Sequence, residues 1–249
     1  IIGDVRDFEH LQKVMNEVKP EIVFHLAAQA LVRSSYETPR ETFEVNVLGS
    51  VNVLEVVRKT RSVSTVVMVT SDKCYENREQ VWGYKENDSM GGDDPYSASK
   101  GAAEIVIRSY LRSFYNRDGH AGVASVRAGN VIGGGDWAKD RIAADCFRAL
   151  SAKEIVQVRN PNAIRPWQHV LEPLSGYLWL GSMLNSSPRE FSGGWNFGPA
   201  DSAARSVRDL VKTIIKEWGS GQWADLSKHD ADHLHEAGWL RLSCDKAHM

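Results

Sequence analysis

The chain has 249 residues, 42% hydrophobic and 25% charged, enough apolar mass to bury one large α/β domain or a domain with an appendage. A net charge of -2 offers no overall attraction to polyanions, so neither nucleic acid nor a membrane surface is an expected partner and an anionic ligand must be held by local groups. Three distant cysteines, Cys74, Cys146 and Cys244, fit reduced thiols of a cytoplasmic protein better than a disulfide framework or zinc site, and no apolar run approaches the roughly 20 residues of a membrane span.

Ile1-Ile2-Gly3-Asp4 reads as the tail of a buried strand, and the chain stops at Met249 without a helix stop signal, so a piece of a longer protein is expected. A helix is predicted over 8–17 and a strand over 21–26, ending in the small residues Ala27-Ala28-Gln29. A long helix over 39–61 follows. The strand over 63–70 contains the run Val66-Val67-Met68-Val69, apolar on both faces, as a buried parallel strand must be. After a polar loop over 72–95, a helix over 96–115 sets Ala102, Ile105, Val106, Tyr110 and Leu111 near one stripe, and a strand over 122–127 leads to the turn Gly133-Gly134-Gly135.

This alternation predicts an α/β fold, a doubly wound parallel sheet over 1–134 with a smaller region over 135–249. Beyond about residue 135 the pattern weakens into short helices and loops rich in Trp and His, with a late strand near 194–198 returning to the sheet. Ligands of open α/β sheets bind outside the carboxyl ends of the strands. The loops at those ends are Ala27-Ala28-Gln29, Thr70-Ser71-Asp72-Lys73 and Asn130 to Trp137.

The clearest chemical pattern is Tyr96-Ser97-Ala98-Ser99-Lys100 at a helix start, where four-residue spacing sets phenol and ammonium on one face. A nearby cation favours phenolate, which would make an acid/base near neutral pH. A surface Tyr and Lys at helical spacing is the plain alternative. The strand ending in Thr70-Ser71-Asp72-Lys73 adds the context that favours chemistry.

On these residues the chain resembles the extended short-chain dehydrogenase/reductase family, whose catalytic pair is Tyr-x-x-x-Lys beside a Ser or Thr at the preceding strand end. The resemblance covers nearly the whole chain and implies a Rossmann-type NAD-binding sheet. Gly3-Asp4-Val5-Arg6-Asp7 looks like the family's adenine-contacting segment, His25-Leu26-Ala27-Ala28-Gln29 like its cofactor-lining strand end, and Asn46-Val47-Leu48-Gly49 like its helix motif. The implied NAD contacts are Asp4, Val5, Leu26, Ala27, Ala28, Gln29, Asn46, Tyr96 and Lys100. The glycine fingerprint that holds the pyrophosphate, part of an N-terminal βαβ unit, would lie before Ile1.

Within the family, the sugar-nucleotide 4,6-dehydratases carry an acid and a base after the Ser/Thr, and Asp72-Lys73 fills those places. Most members have Asp-Glu there; the branch acting on CDP-glucose has Asp-Lys. That branch is also resembled through Cys74-Tyr75-Glu76-Asn77, Trp82-Gly83-Tyr84, Gly91-Gly92 and Asp94-Pro95. The resemblance implies a lyase acting on CDP-D-glucose, in deoxysugar and lipopolysaccharide O-antigen synthesis, with Ser71, Asp72, Lys73, Tyr96 and Lys100 catalytic. Another dehydratase, a 4-epimerase, or a non-catalytic sugar-nucleotide-binding fragment remains open.

Arg127 to Trp137 could bring backbone amides to a diphosphate, although a simple tight loop explains three glycines equally well. The family places the sugar nucleotide there, implying Asn130, Gly135 and Trp137 as contacts, with Arg165 and His169 of Arg165-Pro166-Trp167-Gln168-His169-Val170 as further ones. His229, His233 and His235, with Asp230 and Asp232, contain metal-ligand types but read as a polar loop, so no metal is expected. Trp179, Trp195, Trp218, Trp223 and Trp239 need only packing roles. Family members usually pair through two long helices, here 39–61 and 96–115, which implies a homodimer or homotetramer.

Overall fold

The computed structural model describes residues 1–115, 120–200, 203–227 and 239–249. The Asp7 carboxylate accepts from the His10 amide and opens α1 (Phe8–Val18), which Lys19 closes in a left-handed conformation, φ 49°. β1 (Ile22–His25) follows, then the short α2 (Val32–Glu37), for which no element was predicted. The helix expected over 39–61 forms in three pieces: α3 (Pro39–Phe43), a π-helical turn Glu44–Leu48, and α4 (Gly49–Lys59). The wider turn carries Asn46, whose amide bonds the Gln29 backbone in both directions and donates to Ser99 Oγ at 2.8 Å. Such turns recur where a helix lends a side chain to a site.

β2 (Thr65–Val69) leads to Ser71, whose Oγ accepts from the Lys73 amide and caps a 3₁₀ turn, Asp72–Cys74. Asp94 caps α5 (Pro95–Tyr110) by accepting from Ser97 N, with Pro95 in the first turn, and a π-helical turn Leu111–Tyr115 continues it. β3 (Gly122–Ala128) and the short β4 (Val131–Ile132) come next. α6 (Ile142–Ser151), β5 (Val156–Val158), β6 (Ile164–Arg165) and β7 (Gln168–His169) lead to α7 (Leu171–Ser186) and α8 (Pro188–Phe191). The chain closes with β8 (Gly193–Phe197), β9 (Arg205–Ser206), α9 (Val207–Trp218) and β10 (Trp223–Asp225).

The main sheet has order β1-β2-β3-β8, and all its pairings are parallel. Strand alternation splits β2 between two cores: Val66 and Met68 pack with Val53, Leu54, Val56 and Ile107 on one face, Val67 with Ala124, Val126, Leu180 and Leu184 on the other. Both faces are thus covered, as a doubly wound sheet requires. A separate core of Cys146, Leu150, Val156, Val158 and Val211 joins α6, α9 and the two-stranded β5–β10 pair beside the strand ends.

The short helices expected beyond residue 135 are corrected by α7, sixteen residues long. Its sequence is apolar on nearly every side, so no helical stripe announces it. One consequence is that Trp179 is 71% exposed and does not pack as expected. The chain's last segment folds back over the loop that follows β2. Leu242 bridges Tyr84, the Trp239 carbonyl accepts from Asn77, and the Leu242–Ser243 backbone comes within 2.6 Å of where a Cβ on Gly83 would stand. The loop is pressed onto the sheet from outside. Among the described residues no helix is long and apolar enough to cross a membrane and no cluster of metal-ligand type occurs; residues 229, 230, 232, 233 and 235 lie outside the described residues.

α7 lies close to β8 because Gly176 has no side chain: a Cβ there would overlap the Phe197 ring, which Tyr177 meets edge-on. Gly176→Val should therefore destabilise the protein by about 1–3 kcal/mol through overpacking. The midpoint of urea unfolding reads this, and an unchanged midpoint would mean that α7 has room to spare.

Candidate active site

β1, β2 and β3 run parallel, so their carboxyl ends deliver Ala27–Gln29, Thr70–Lys73 and Ala128–Asn130 to one edge. A cavity of about 450 Å³ opens there. Its wall includes Ser71, Asp72, Lys73 and Tyr96 on one side, with Asn130 and Arg165 further along. Six residues from four separated segments are thereby brought together.

Asp72 is 2% exposed. Ser71 Oγ donates to its Oδ1 at 3.0 Å and Asn130 Nδ2 to its Oδ2 at 3.4 Å. Gly129 makes this possible, because a Cβ at that position would overlap the Asp72 carboxylate. Asn130 itself takes a left-handed backbone, φ 53°, which asparagine tolerates better than most residues. Lys73 is half-buried in the same cavity wall, and its ammonium has no hydrogen bond or ion pair among the described residues.

Tyr96 and Lys100 are 8% and 5% exposed, and the ammonium stands 5.9 Å from the centroid of the phenol ring. Burial pushes the Tyr96 phenol up to about 12, against a hydrogen bond with Ser71 that favours the anion; the Asp72 carboxylate adds to the upward push. The direction is opposite to the one expected from the Tyr-Lys spacing: desolvation outweighs the Ser71 hydrogen bond and the Arg141 charge. Burial also brings the Lys100 ammonium down to about 8, opposed by Cys74 and Glu104. No hydrogen-bond acceptor or paired anion meets Lys100 among the described residues.

A buried ammonium has donors that suit the hydroxyl oxygens of a ligand. Around it the β1 end is already shaped: Gln29 bonds Asn46, Thr42 and the Leu31 carbonyl, while Ala27 and Ala28 keep the approach open. Leu26 is half exposed. Asp4 lies on the surface, paired with Arg6 at 2.6 Å, and Val5 packs against Gly49. The residues present therefore fit the ribose and nicotinamide end of a dinucleotide.

Of the remaining sequence-predicted contacts, Gly135, Trp137 and His169 do not line the cavity; Gly133 and Asp136 do. Trp137 is 70% exposed, Gly135 sits in the turn at φ 82°, and His169 Nδ1 accepts from the Leu171 amide. Arg33, Arg141 and Arg159, which sequence reasoning missed, do line it. Asp140 gathers Arg159 at 2.8 Å and Arg33 at 3.9 Å, and Arg141 donates to the Ala30 carbonyl. No spacing pattern marks them, since the three come from α2, the start of α6 and the turn after β5. Together with Arg165 they form a cationic wall suited to a diphosphate.

His25 ends β1 beside this cluster, 7% exposed; burial, then the Lys100 charge, brings its pKa from 6.5 to about 4. The folded protein holds it neutral, so the unfolded chain takes up its proton first as pH falls. Stability should be unaffected by this group above pH 6.5, decline between 6.5 and 4 by about 3 kcal/mol, and then level off. Melting temperatures of wild type and His25→Asn across that window check this, and parallel curves would refute it.

The sequence profile described as GDP-mannose 4,6 dehydratase matches residues 1–238. A curated CDP-glucose 4,6-dehydratase of Salmonella typhimurium is 53% identical over 252 residues, which takes in 100% of this chain and 70% of that protein. A CDP-paratose 2-epimerase of Salmonella typhi is 31% identical over 45% of the chain and 38% of its own length. Among solved structures, Thermus thermophilus UDP-glucose 4-epimerase in complex with NAD superposes with TM-score 0.79 at 25% identity, over 99% of this chain and 76% of that one. Bacillus anthracis dTDP-glucose 4,6-dehydratase in complex with NAD gives 0.77 at 19% identity, over 99% and 71%, a likeness of fold.

Proposed function

Because the chain belongs to the GDP-mannose 4,6-dehydratase family, we propose that it is an NAD-dependent lyase that removes water from CDP-D-glucose to give CDP-4-dehydro-6-deoxy-D-glucose. The observation that carries this reading is the shared cavity wall of Ser71, Asp72, Lys73 and Tyr96. An epimerase needs only the phenol and hydroxyl; an added carboxyl and amine beside them are what a dehydration demands.

NAD, when bound, would supply the hydride acceptor at C4 and the hydride donor at C6, the latter matched by return of a proton to C5. Tyr96 takes the proton of the 4-hydroxyl, with Ser71 holding the oxygen. Lys100 meets the ribose hydroxyls and stabilises the phenolate that forms. The resulting 4-ketone acidifies C5. Lys73, which no carboxylate among the described residues pairs, is the base that takes the C5 proton and later returns it, and Asp72, acting in its acid form, protonates the departing 6-hydroxyl. Arg33, Arg141, Arg159 and Arg165 hold the diphosphate.

Incubation of the protein with CDP-glucose and NAD should produce the base-induced absorbance of a 4-ketosugar, and no product would sink the reading even if the sugar nucleotide binds. Asp72→Asn and Lys73→Met should each lower kcat by about 100- to 10,000-fold while leaving CDP-glucose affinity nearly unchanged. Parallel titration with UDP-glucose and dTDP-glucose tests the preference for the cytidine base.

A homodimer or homotetramer belongs to the same reading. Phe43, Leu48, Ile105 and Phe114, on the helical stretches 39–59 and 95–115, remain partly or half exposed, as they would if two copies met across these helices. Light scattering at micromolar concentration should give at least twice the chain mass; a monomer alone would refute the pairing.

A further inference from the structure

The strand end that carries Ser71 and Asp72 and the helix that carries Tyr96 and Lys100 meet over one buried ion pair. Glu104 lies one turn beyond Lys100 in α5, and Arg127 lies in β3; they are 3% and 4% exposed. Arg127 Nη2 donates to Glu104 Oε2 at 2.7 Å and its Nε to Oε1 at 2.9 Å. Ser125 Oγ fills Oε2 at 2.7 Å, and Thr70 Oγ1 fills Oε1 at 2.5 Å. Arg127 Nη1 reaches on to Tyr75 Oη at 2.6 Å and the Glu86 carbonyl at 3.1 Å.

Two charges this deep repay their desolvation only when every remaining lone pair and proton is satisfied, and here the satisfying partners are informative. Thr70 immediately precedes the Ser71–Cys74 turn and Tyr75 immediately follows it. The pair therefore grips the turn at both ends. Tyr75 continues the chain of bonds, donating to Asn196 Oδ1 in β8 at 2.7 Å. Neither Glu104 nor Arg127 lines the cavity, so they act on substrate only through what they hold.

We propose that Glu104 and Arg127 are positioning residues, whose ion pair clamps the turn bearing Ser71, Asp72 and Lys73 against the α5 turn bearing Tyr96 and Lys100. The clamp sets the spacing of the reacting groups before substrate arrives. This rests on the dehydratase reading of the same turn.

Single hydroxyls in the network allow a test that leaves the ion pair intact. Thr70→Val and Tyr75→Phe each cut one grip on the turn, Thr70→Ser restores the first, and Ser125→Ala removes an equal donor to Glu104 from mid-strand. A misplacement of about 1 Å can cost on the order of 100-fold in rate. Expected is a fall in kcat of at least about 10-fold in Thr70→Val and Tyr75→Phe, with KM nearly unchanged, recovery in Thr70→Ser, and wild-type kcat in Ser125→Ala despite a lowered Tm. Amide hydrogen exchange over residues 72–75 should quicken in the first two variants alone. Unchanged exchange there, or a Ser125→Ala variant matching Thr70→Val in exchange and kcat, overturns the clamp. Wild type forming no ketosugar would instead defeat the dehydratase reading, while the exchange comparison still decides whether the pair holds the turn.

Discussion

Burial of the Tyr96–Lys100 turn governs this site. A low-dielectric environment disfavours charge on either partner, so the phenol rises and the ammonium falls. Two groups of opposite charge type are thereby pushed toward their neutral forms at once. Neither ionises cheaply alone. The surroundings oppose that push in part: the Ser71 hydrogen bond favours the phenolate, and Cys74 and Glu104 favour the ammonium.

The same desolvation explains why the layer beneath the site is polar and fully bonded. Thr70, Ser125, Arg127, Tyr75 and Asn196 come from two strands and the loop that follows β2, yet their polar atoms join one connected set around Glu104. An incomplete set at this depth would cost more than an apolar filling. Asn196 Nδ2 donates to the carbonyls of Tyr84 and Ser243, so the network also fastens the segment that presses the loop onto the sheet.

Much of the fold was legible because its signals are local. The run of β2 apolar on both faces and the Tyr-x-x-x-Lys spacing at a helix start each sit within a few residues, as does the late strand near 194–198. The rest depends on distant partners. Nothing near Glu104 announces that Arg127 will meet it, and nothing near Gly129 announces that its missing side chain makes room for Asp72. α7 escaped for the opposite reason, since a helix apolar all round has no period to read. Arg33, Arg141 and Arg159 converge only because the β5–β10 unit folds over the strand ends, and single arginines are common on surfaces.

Adjacent in sequence, Asp72 and Lys73 would be expected to neutralise each other, and an ion pair between them would disable both as acid and base. The 3₁₀ turn prevents it. Successive side chains in such a turn diverge by about 120°, and the Ser71 and Asn130 hydrogen bonds hold the carboxylate to one side. Lys73 is left in the cavity wall without a carboxylate partner among the described residues. The turn's geometry thus keeps two opposite functions within one dipeptide, which is why a clamp at both of its ends bears on the chemistry and not on stability alone.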